Sequence, residues 1–295
     1  MVQLGANKYG KAEIRLLRVT RGAGPGGADL LRDWNISTSL SGDLADSHLT
    51  GSNAKVLPTD SQKNRAYALA KELGRDVEPE VFCRELGSFF VSSQEPITRA
   101  RVSAEEYGWA PIGATGYSFA RSGDLVRTTV VHVDSALGTS VVSGLRDLTV
   151  LNTTASEFWG YPKDAYTTLP ETKDRVLATS VQASWRFRPE AVAAGVDWGE
   201  AFAVAKSTIL ATFSGTYTYS LQQMLYAIGA AVLSALPSVC EVRLALPNKH
   251  HYLVDLAPFG LSNEREVYLA GDRPYGLIEG TVLADDAPED TLAWG

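Results

Sequence analysis

The chain has 295 residues, of which 45% are hydrophobic and 21% are charged, with a formal net charge of -7 and a sequence pI near 5.2. This length and composition are typical of a globular protein with enough residues for two domains of ordinary size. The acidic balance argues against a nucleic-acid or anionic-membrane partner, because binding to phosphate groups needs a dense cationic face.

In chain order, the sequence of the first half, 1–137, predicts strands at 11–16 and 34–44, helices at 61–73 and 81–90, and strands at 97–109 and 116–134. The strands alternate polar and apolar residues, and the helices carry the longer apolar period. We expect Thr59 or Asp60 to be the N-cap of the first helix. A hairpin turn is predicted at 121–124, where Arg-Ser-Gly-Asp interrupts the last strand.

The second half predicts strands at 139–152 and 178–188, helices at 198–213 and 218–236, and strands at 239–247 and 251–257. Two halves, 1–137 and 138–295, therefore share the order ββααββ. The predicted fold class is α+β, with antiparallel sheets covered by helices on one face. The other face and the edges of such a sheet need partners, so we expect closure by the tandem halves and by other subunits.

Gly22 to Gly27 match the pattern G-x-G-x-x-G directly after a predicted strand. A dinucleotide-binding turn must open a helix of several turns, whose N-terminus meets the pyrophosphate. Only Ala28 to Arg32 precede the next predicted strand, so we interpret these glycines as a flexible hairpin loop.

The histidines and cysteines predict no metal site and no thiol nucleophile. No pair among the four histidines has i, i+4 spacing on a predicted helix, and adjacent His250 and His251 in an extended segment should face opposite sides. Cys83 and Cys240 lack C-x-x-C spacing, so we expect buried core thiols in a reducing compartment. No G-x-S-x-G motif is present.

The chain also predicts a cytoplasmic protein. Residues 1–15 lack the apolar segment of a secretory signal, and no apolar run is long enough to span a bilayer. The last residues do not form a Ser-Lys-Leu peroxisomal signal.

Several separated blocks resemble the urate oxidase (uricase) family, in the family's order, from about residue 8 to 283. These blocks are Tyr9-Gly10-Lys11, Thr59 to Asn64, Leu148 to Arg175, Leu221-Gln222-Gln223 and Leu246 to His250. The chain departs from the family pattern at Asn152, where Lys is usual, at Thr115-Gly116-Tyr117 in place of His-x-His, and at Gly51-Ser52-Asn53 in place of Gly-Asp-Asn. The resemblance implies the tunnelling fold, in which tandem halves join into a barrel, and a homotetramer with sites between subunits.

The resemblance implies that Phe158, Arg175, Leu221, Gln222 and Asn248 bind the substrate. Urate is flat and edged with N–H and C=O groups, so it needs a stacking partner and in-plane hydrogen bonds. Phe offers the stacking face, Arg offers a cationic fork of donors, and Gln pairs a donor with an acceptor. Asn248 would hold the oxygen or water site above the purine plane.

In the family that the chain resembles, a lysine–threonine dyad moves protons, and its counterpart here is Lys11 with Thr59. The resemblance also implies that Thr59 and Asp60 bind the substrate, which they and Lys11 would reach from the neighbouring subunit. His250 would extend the proton relay. The implied reaction converts urate, O2 and water to 5-hydroxyisourate and hydrogen peroxide. It requires no metal or flavin, because the urate anion itself passes electrons to O2, the co-substrate.

Two alternative functions stay open at this point. The departures at Asn152 and at 115–117 are compatible with a protein that binds purines without oxidising them. Another tunnelling-fold enzyme, acting on pterins or guanine nucleotides, is the second alternative. Such enzymes generally use Cys/His metal sites, which this sequence cannot easily build.

Overall fold

The structure, a computed structural model, describes residues 1–74 and 77–294, without the side chain of Asp272. Its strands are β1 (Ile14–Thr20), β2 (Leu30–Gly42), β3 (Ile97–Pro111), β4 (Phe119–Asp134), β5 (Gly138–Asn152), β6 (Leu177–Phe187), β7 (Val239–Leu253) and β8 (Tyr268–Leu283). Its α-helices are α1 (Ala45–Leu49), α2 (Thr59–Glu72), α3 (Pro79–Ser93), α4 (Pro189–Ala194), α5 (Trp198–Gly215) and α6 (Leu221–Ala235).

This element order confirms the predicted α+β class. Each half reads ββααββ once the short helices α1 and α4 are set aside. The strands form an eight-stranded sheet in chain order, with β1 and β8 at the two ends of that order. The β1–β2, β2–β3, β3–β4 and β7–β8 pairs are antiparallel. No helix in the described ranges is long and apolar enough to cross a membrane.

The chain divides into two compact units that are not continuous in sequence. The first unit comprises Met1–Gly144, Trp185–Gly199 and Pro288–Gly295, and the second comprises Leu145–Ser184 and Glu200–Ala287. The division into two domains, 1–137 and 138–295, which was inferred from the repeated element order, stays a prediction.

The core of the first unit lies between α3 and the strands β2 to β4. The helix contributes Phe82, Leu86 and Phe90, all fully buried. Helix α3 comes close to the sheet at Gly87, where an added Cβ would lie 3.0 Å from a methyl carbon of Val133. Cys83 is buried in this core, and Cys240 is buried in the second unit, as predicted.

The core of the second unit fixes the position of α6 on strands β7 and β8. At Gly229 of α6, an added Cβ would lie 2.4 Å from a methyl carbon of Val282, and at Gly280 of β8 it would lie 2.9 Å from a methyl carbon of Leu225. Glycine therefore allows helix and strand to touch at both levels. This close packing sets where the N-terminus of α6 lies.

The hairpin predicted at 121–124 is wrong, because this segment lies inside β4. Strands β3 and β4 instead turn at 112–118, where Ile112 N donates to Ser118 O at 2.8 Å. Gly113 and Gly116 have φ of 61° and 74°, so two glycines of this turn adopt the left-handed conformation. A register shift between Tyr107 and Trp109 interrupts the β3–β4 ladder, and pairing resumes beyond it up to Pro111 and Phe119.

The glycine-rich segment 22–27 connects two antiparallel strands, which confirms the hairpin interpretation. Thr20 at the end of β1 pairs with Leu30 at the start of β2. Asp29 N donates to Gly116 O at 2.7 Å, so this loop contacts the turn between β3 and β4. The glycine-rich loop thus lies beside 115–117, one of the departures from the family pattern.

The end of the chain differs from the prediction in its strands. The segments 239–247 and 251–257 were predicted as separate strands, but β7 runs without interruption to Leu253 and the last strand is β8. The sequence of β8 contains three glycines and a proline, which favour a loop interpretation. After β8, Asp290 accepts a hydrogen bond from the hydroxyl of Ser140 at 2.6 Å, which ties this last segment to the other residues of the first unit.

Candidate active site

A pocket of about 790 Å³ lies within the second unit. It is lined by the segment that precedes β6, the start of α6, and parts of β7 and β8. Six residues singled out from the sequence line it together: Phe158, Arg175, Leu221, Gln222, Asn248 and His250.

Arg175 is held in this pocket by Ser156. Its main-chain N donates to Ser156 O at 2.9 Å, and its Nε donates to Ser156 Oγ at 3.1 Å. Ser156 is completely buried, so the tether is shielded from water. Burial lowers the pKa of Arg175, which nevertheless stays cationic at any physiological pH. Fixing Nε leaves the two terminal nitrogens for a ligand.

Phe158 is fixed by its main chain and by a neighbouring ring. It exchanges two main-chain hydrogen bonds with Thr172, of 2.8 and 3.0 Å. Its ring stacks on Tyr161 at a centroid distance of 4.8 Å, and the guanidinium carbon of Arg175 is 5.2 Å from the Phe158 centroid. The pocket therefore has a rigid aromatic wall beside its cation.

The first turn of α6 carries Leu221 and Gln222 into the pocket. Ser220 is the N-cap, and its hydroxyl accepts a hydrogen bond from Gln223 N at 3.1 Å. The Gln223 side chain in return accepts one from Tyr219 N at 2.8 Å. This reciprocal capping fixes the helix start, whose main-chain N–H groups carry a partial positive charge. Leu221 is buried, whereas Gln222 is exposed toward the pocket.

Asn248 and His250 lie on either side of a register shift in the β7–β8 pair. His250 stacks on Tyr252 at a centroid distance of 5.7 Å. Burial, followed by the nearby charge of Arg175, lowers the pKa of His250, so its imidazole is neutral near pH 7. His250 and His251 both line the pocket, and after the register shift they pair in continuous register with Gly271 and Ala270. The expectation that their side chains face opposite sides of the strand stays a prediction.

Lys11 lies in the first unit, where its main chain is paired with Thr38 of β2. Lys11 N donates to Thr38 Oγ1 at 3.1 Å, and Thr38 N donates to Lys11 O at 2.8 Å. Gly10 makes this pairing possible, because an added Cβ would lie only 1.8 Å from Thr38 O. The motif Tyr9-Gly10-Lys11 thus has a steric basis.

Thr59 and Asp60 are the first two residues of α2. The predicted N-cap is wrong, because Pro58 takes that position with an extended ψ of 138° and Thr59 is already helical. The pKa of Asp60 is lowered chiefly by a 2.5 Å hydrogen bond from Lys63, and to a smaller extent by the charge of Lys11. Lys11, Thr59 and Asp60 therefore share one neighbourhood in the first unit.

Two supporting residues of this neighbourhood were missed by the sequence reasoning. Thr38 Oγ1 donates to Gln62 Oε1 at 2.7 Å, and Gln62 is completely buried. This bond links the strand that holds Lys11 to the helix that begins at Thr59. The sequence contains one indication of these contacts, because Thr38 is a polar residue on the otherwise apolar side of an alternating strand.

Other pocket residues were also missed, namely Asp174, His251, Tyr252 and Arg265. In addition, Ser156 supports Arg175 from outside the set of lining residues. The position of Ser156 inside the Leu148 to Arg175 block indicates a role near the site, whereas nothing in the sequence connects Arg265 to that block.

Asn152, the departure within that block, has a structural role. Its Nδ2 donates to Phe213 O at 3.0 Å, in the last turn of α5. The side chain thus satisfies a main-chain acceptor at the end of the helix. It is not among the residues that line the pocket. Among all described residues, no group of three or more His, Cys, Asp or Glu side chains is arranged to hold a metal ion.

Comparison with known proteins gives consistent results. The family model described as Uricase matches residues 7–132 and 141–279. A uricase of Arthrobacter globiformis is 41% identical over 99% of this chain and 94% of its own length, and a uricase of Dictyostelium discoideum is 35% identical over 96% and 98%. The crystal structure of the Arthrobacter globiformis uricase superposes with a TM-score of 0.91 over 98% of each chain. A Bacillus fastidious uricase, 23% identical, has the same fold with a TM-score of 0.78, covering 95% of this chain and 94% of its own.

Proposed function

The chain belongs to the uricase family of oxidoreductases, and from this premise we propose that it oxidises urate with O2 and water to 5-hydroxyisourate and hydrogen peroxide. The observation that carries the proposal is the pocket of the second unit. It combines a half-buried arginine, an aromatic wall and a helix N-terminus in one cavity.

This combination suits urate, a flat purine that is an anion at neutral pH. The terminal nitrogens of Arg175 supply a bidentate donor fork with positive charge, and Gln222 supplies a donor and an acceptor for an amide edge. Phe158 supplies a stacking surface, which adds roughly 1 kcal/mol beyond its buried area. Leu221 closes the apolar side of the cavity.

His250 and Asn248 are proposed to act above the plane of the bound purine. The lowered pKa of His250 supports a neutral imidazole, which can accept a proton and pass it on. Asn248 lines the same cavity and offers both a donor and an acceptor for O2-derived oxygen or water. No resident cofactor is proposed, since the electron-rich urate anion is itself the reductant of O2.

Lys11, Thr59 and Asp60 are proposed to reach this pocket from a neighbouring subunit of a homotetramer. The apolar exposure of β8, an end strand of the sheet, supports such association. Leu269, Leu277 and Leu283 of this strand are 61%, 54% and 56% exposed. A long apolar end strand is a surface that proteins normally cover. Placement in the cytoplasm stays a prediction.

The test is urate consumption by purified, chelator-treated protein, followed at the ultraviolet absorbance of urate together with O2 uptake. We expect one hydrogen peroxide for each urate consumed. Tight urate binding without O2 uptake would instead select the purine-binding alternative, and stoichiometric tightly bound zinc would favour the pterin or guanine-nucleotide enzymes.

A further inference from the structure

Asp174 poses an electrostatic problem for a pocket that binds an anion. It is adjacent in sequence to Arg175, and both residues line the same cavity. A free carboxylate there would repel an anionic substrate and would compete with it for the guanidinium.

Both carboxylate oxygens of Asp174 are engaged by other side chains. Oδ1 accepts a hydrogen bond from Thr154 Oγ1 at 2.7 Å, and Oδ2 forms an ion pair with Nη1 of Arg265. The main chain of Asp174 is held as well, since its N donates to Thr172 Oγ1 at 3.2 Å. The carboxylate is therefore fixed in direction and paired with a cation.

Arg265 is placed for this contact by the loop between β7 and β8. Asn263 organises the loop: its Nδ2 donates to Val254 O and Val267 O at 2.9 and 2.8 Å. Its Oδ1 accepts hydrogen bonds from the main-chain N of Glu266 and Val267 at 3.0 and 3.1 Å. Arg265 itself has a φ of 64°, a conformation that non-glycine residues rarely adopt.

Arg175 contrasts with its neighbour Asp174. Its side chain is held by the neutral hydroxyl of Ser156, and its pKa is lowered by burial with no carboxylate contribution in the described part of the chain. The pocket thus contains one arginine paired with the acid and one arginine whose charge is left for a ligand.

We propose that Arg265 is a positioning residue for anion binding: by holding Asp174, it keeps the charge of Arg175 available to the substrate. Loss of Arg265 releases the Asp174 carboxylate into the pocket beside Arg175, which weakens the grip on the anion. The inference rests on the proposed function for the identity of the anion, urate.

A double-mutant cycle tests this role. The variants are Arg265→Gln, Asp174→Asn and the double variant, and the main readout is the dissociation constant of urate measured without O2. We expect R265Q to weaken binding about fivefold with little change in kcat, as coupled charges in contact commonly do. In the D174N background, the same R265Q change should have less than about a twofold effect.

Direct attraction of urate by Arg265 gives a different pattern, in which R265Q weakens binding equally with and without Asp174. That pattern, or an unchanged dissociation constant in R265Q, overturns the proposal. Arg265→Lys is the matched control, because it keeps the charge beside Asp174 and should bind urate nearly as the parent does. The double-mutant cycle measures binding and not oxidation. If the unmodified protein failed to oxidise urate, the proposed function would be wrong, but the binding constants would still test the role of Arg265.

Discussion

The pocket of the second unit and the neighbourhood of Lys11, Thr59 and Asp60 in the first unit are fixed by different kinds of contact. In the pocket, side chains fix one another: Ser156 holds Arg175, and Tyr161 holds Phe158. In the first unit, the main chain is fixed through Thr38. This difference fits the proposed roles of rigid recognition in the pocket and proton transfer by Lys11 and Thr59. Variants of the two regions should therefore fail in different kinetic parameters.

The largest effect is expected from Arg175→Gln. This change removes the charged donor fork from a half-buried position, and such losses weaken binding of an anion by about a hundredfold or more. The dissociation constant of urate, measured without O2, checks this. Arg243→Gln in β7 is the matched control, because it removes a positive charge from the same unit outside the pocket lining. Equal losses in both variants would mean that only net charge matters.

Turnover should respond most to Lys11→Met and Thr59→Val. Loss of a group that transfers protons commonly lowers kcat by about a hundredfold. Binding of a non-oxidised urate analogue should change by less than about threefold, because neither residue forms the aromatic or cationic wall of the pocket. Thr59→Ser keeps the hydroxyl and should retain most of the turnover. Parallel losses in binding and turnover would contradict the proposed division of roles.

Acid should destabilise the first unit through His132. Burial, followed by the charges of Arg101 and Arg99, lowers the pKa of His132 to about 4. Between this value and the ordinary value near 6.5, the unfolded chain binds a proton that the native protein does not. The free energy of unfolding therefore falls as pH decreases through this window, by on the order of 2 kcal/mol.

Urea unfolding of the parent and of His132→Leu, between pH 4.5 and 7, measures this contribution. We expect a shallower pH dependence in the variant and unchanged urate binding at pH 8. Identical slopes in the two proteins would show that other groups are responsible.

A smaller effect is expected from Asn152→Ala. It removes the hydrogen bond to Phe213 O at the end of α5, worth about 1 kcal/mol, which lowers Tm by a few degrees. The value of kcat/KM for urate should stay within about twofold of the parent's. Asn152→Asp, which keeps the size but loses the donor, should be at least as unstable. A large loss of activity with unchanged Tm would place Asn152 in the chemistry instead.

The sequence predicted the α+β class and the six pocket residues that the structure brings together. Alternation and helical period located most elements, because most strands have one buried face. The turn predicted at 121–124 is wrong. The sequence Arg-Ser-Gly-Asp has the composition of a turn, but the chain turns at 112–118, where Gly113 and Gly116 adopt the left-handed conformation. Strand β8 was missed because its glycines resemble a loop, whereas one of them, Gly280, is required for close contact with α6, a tertiary cause that no local pattern reveals.

Supporting contacts were the least predictable part of the site. The pairing of Asp174 with Arg265 joins residues that are 91 positions apart, across a loop whose shape depends on Asn263. The tether from Ser156 to Arg175 spans 19 positions and depends on an irregular segment without periodicity. Such bonds follow from the folded main chain, so sequence spacing alone does not specify them.

The central claim, that each active site joins a pocket from one subunit to Lys11 and Thr59 of another, is tested most directly by complementation. Lys11→Met and Arg175→Gln chains, each nearly inactive alone, are co-expressed with different tags, and mixed oligomers are purified through both tags. Random assembly gives about a quarter of the sites an intact Lys11 and an intact Arg175, so we expect about a quarter of the parent's urate oxidation rate. A rate no higher than that of the two variants measured separately would contradict the claim.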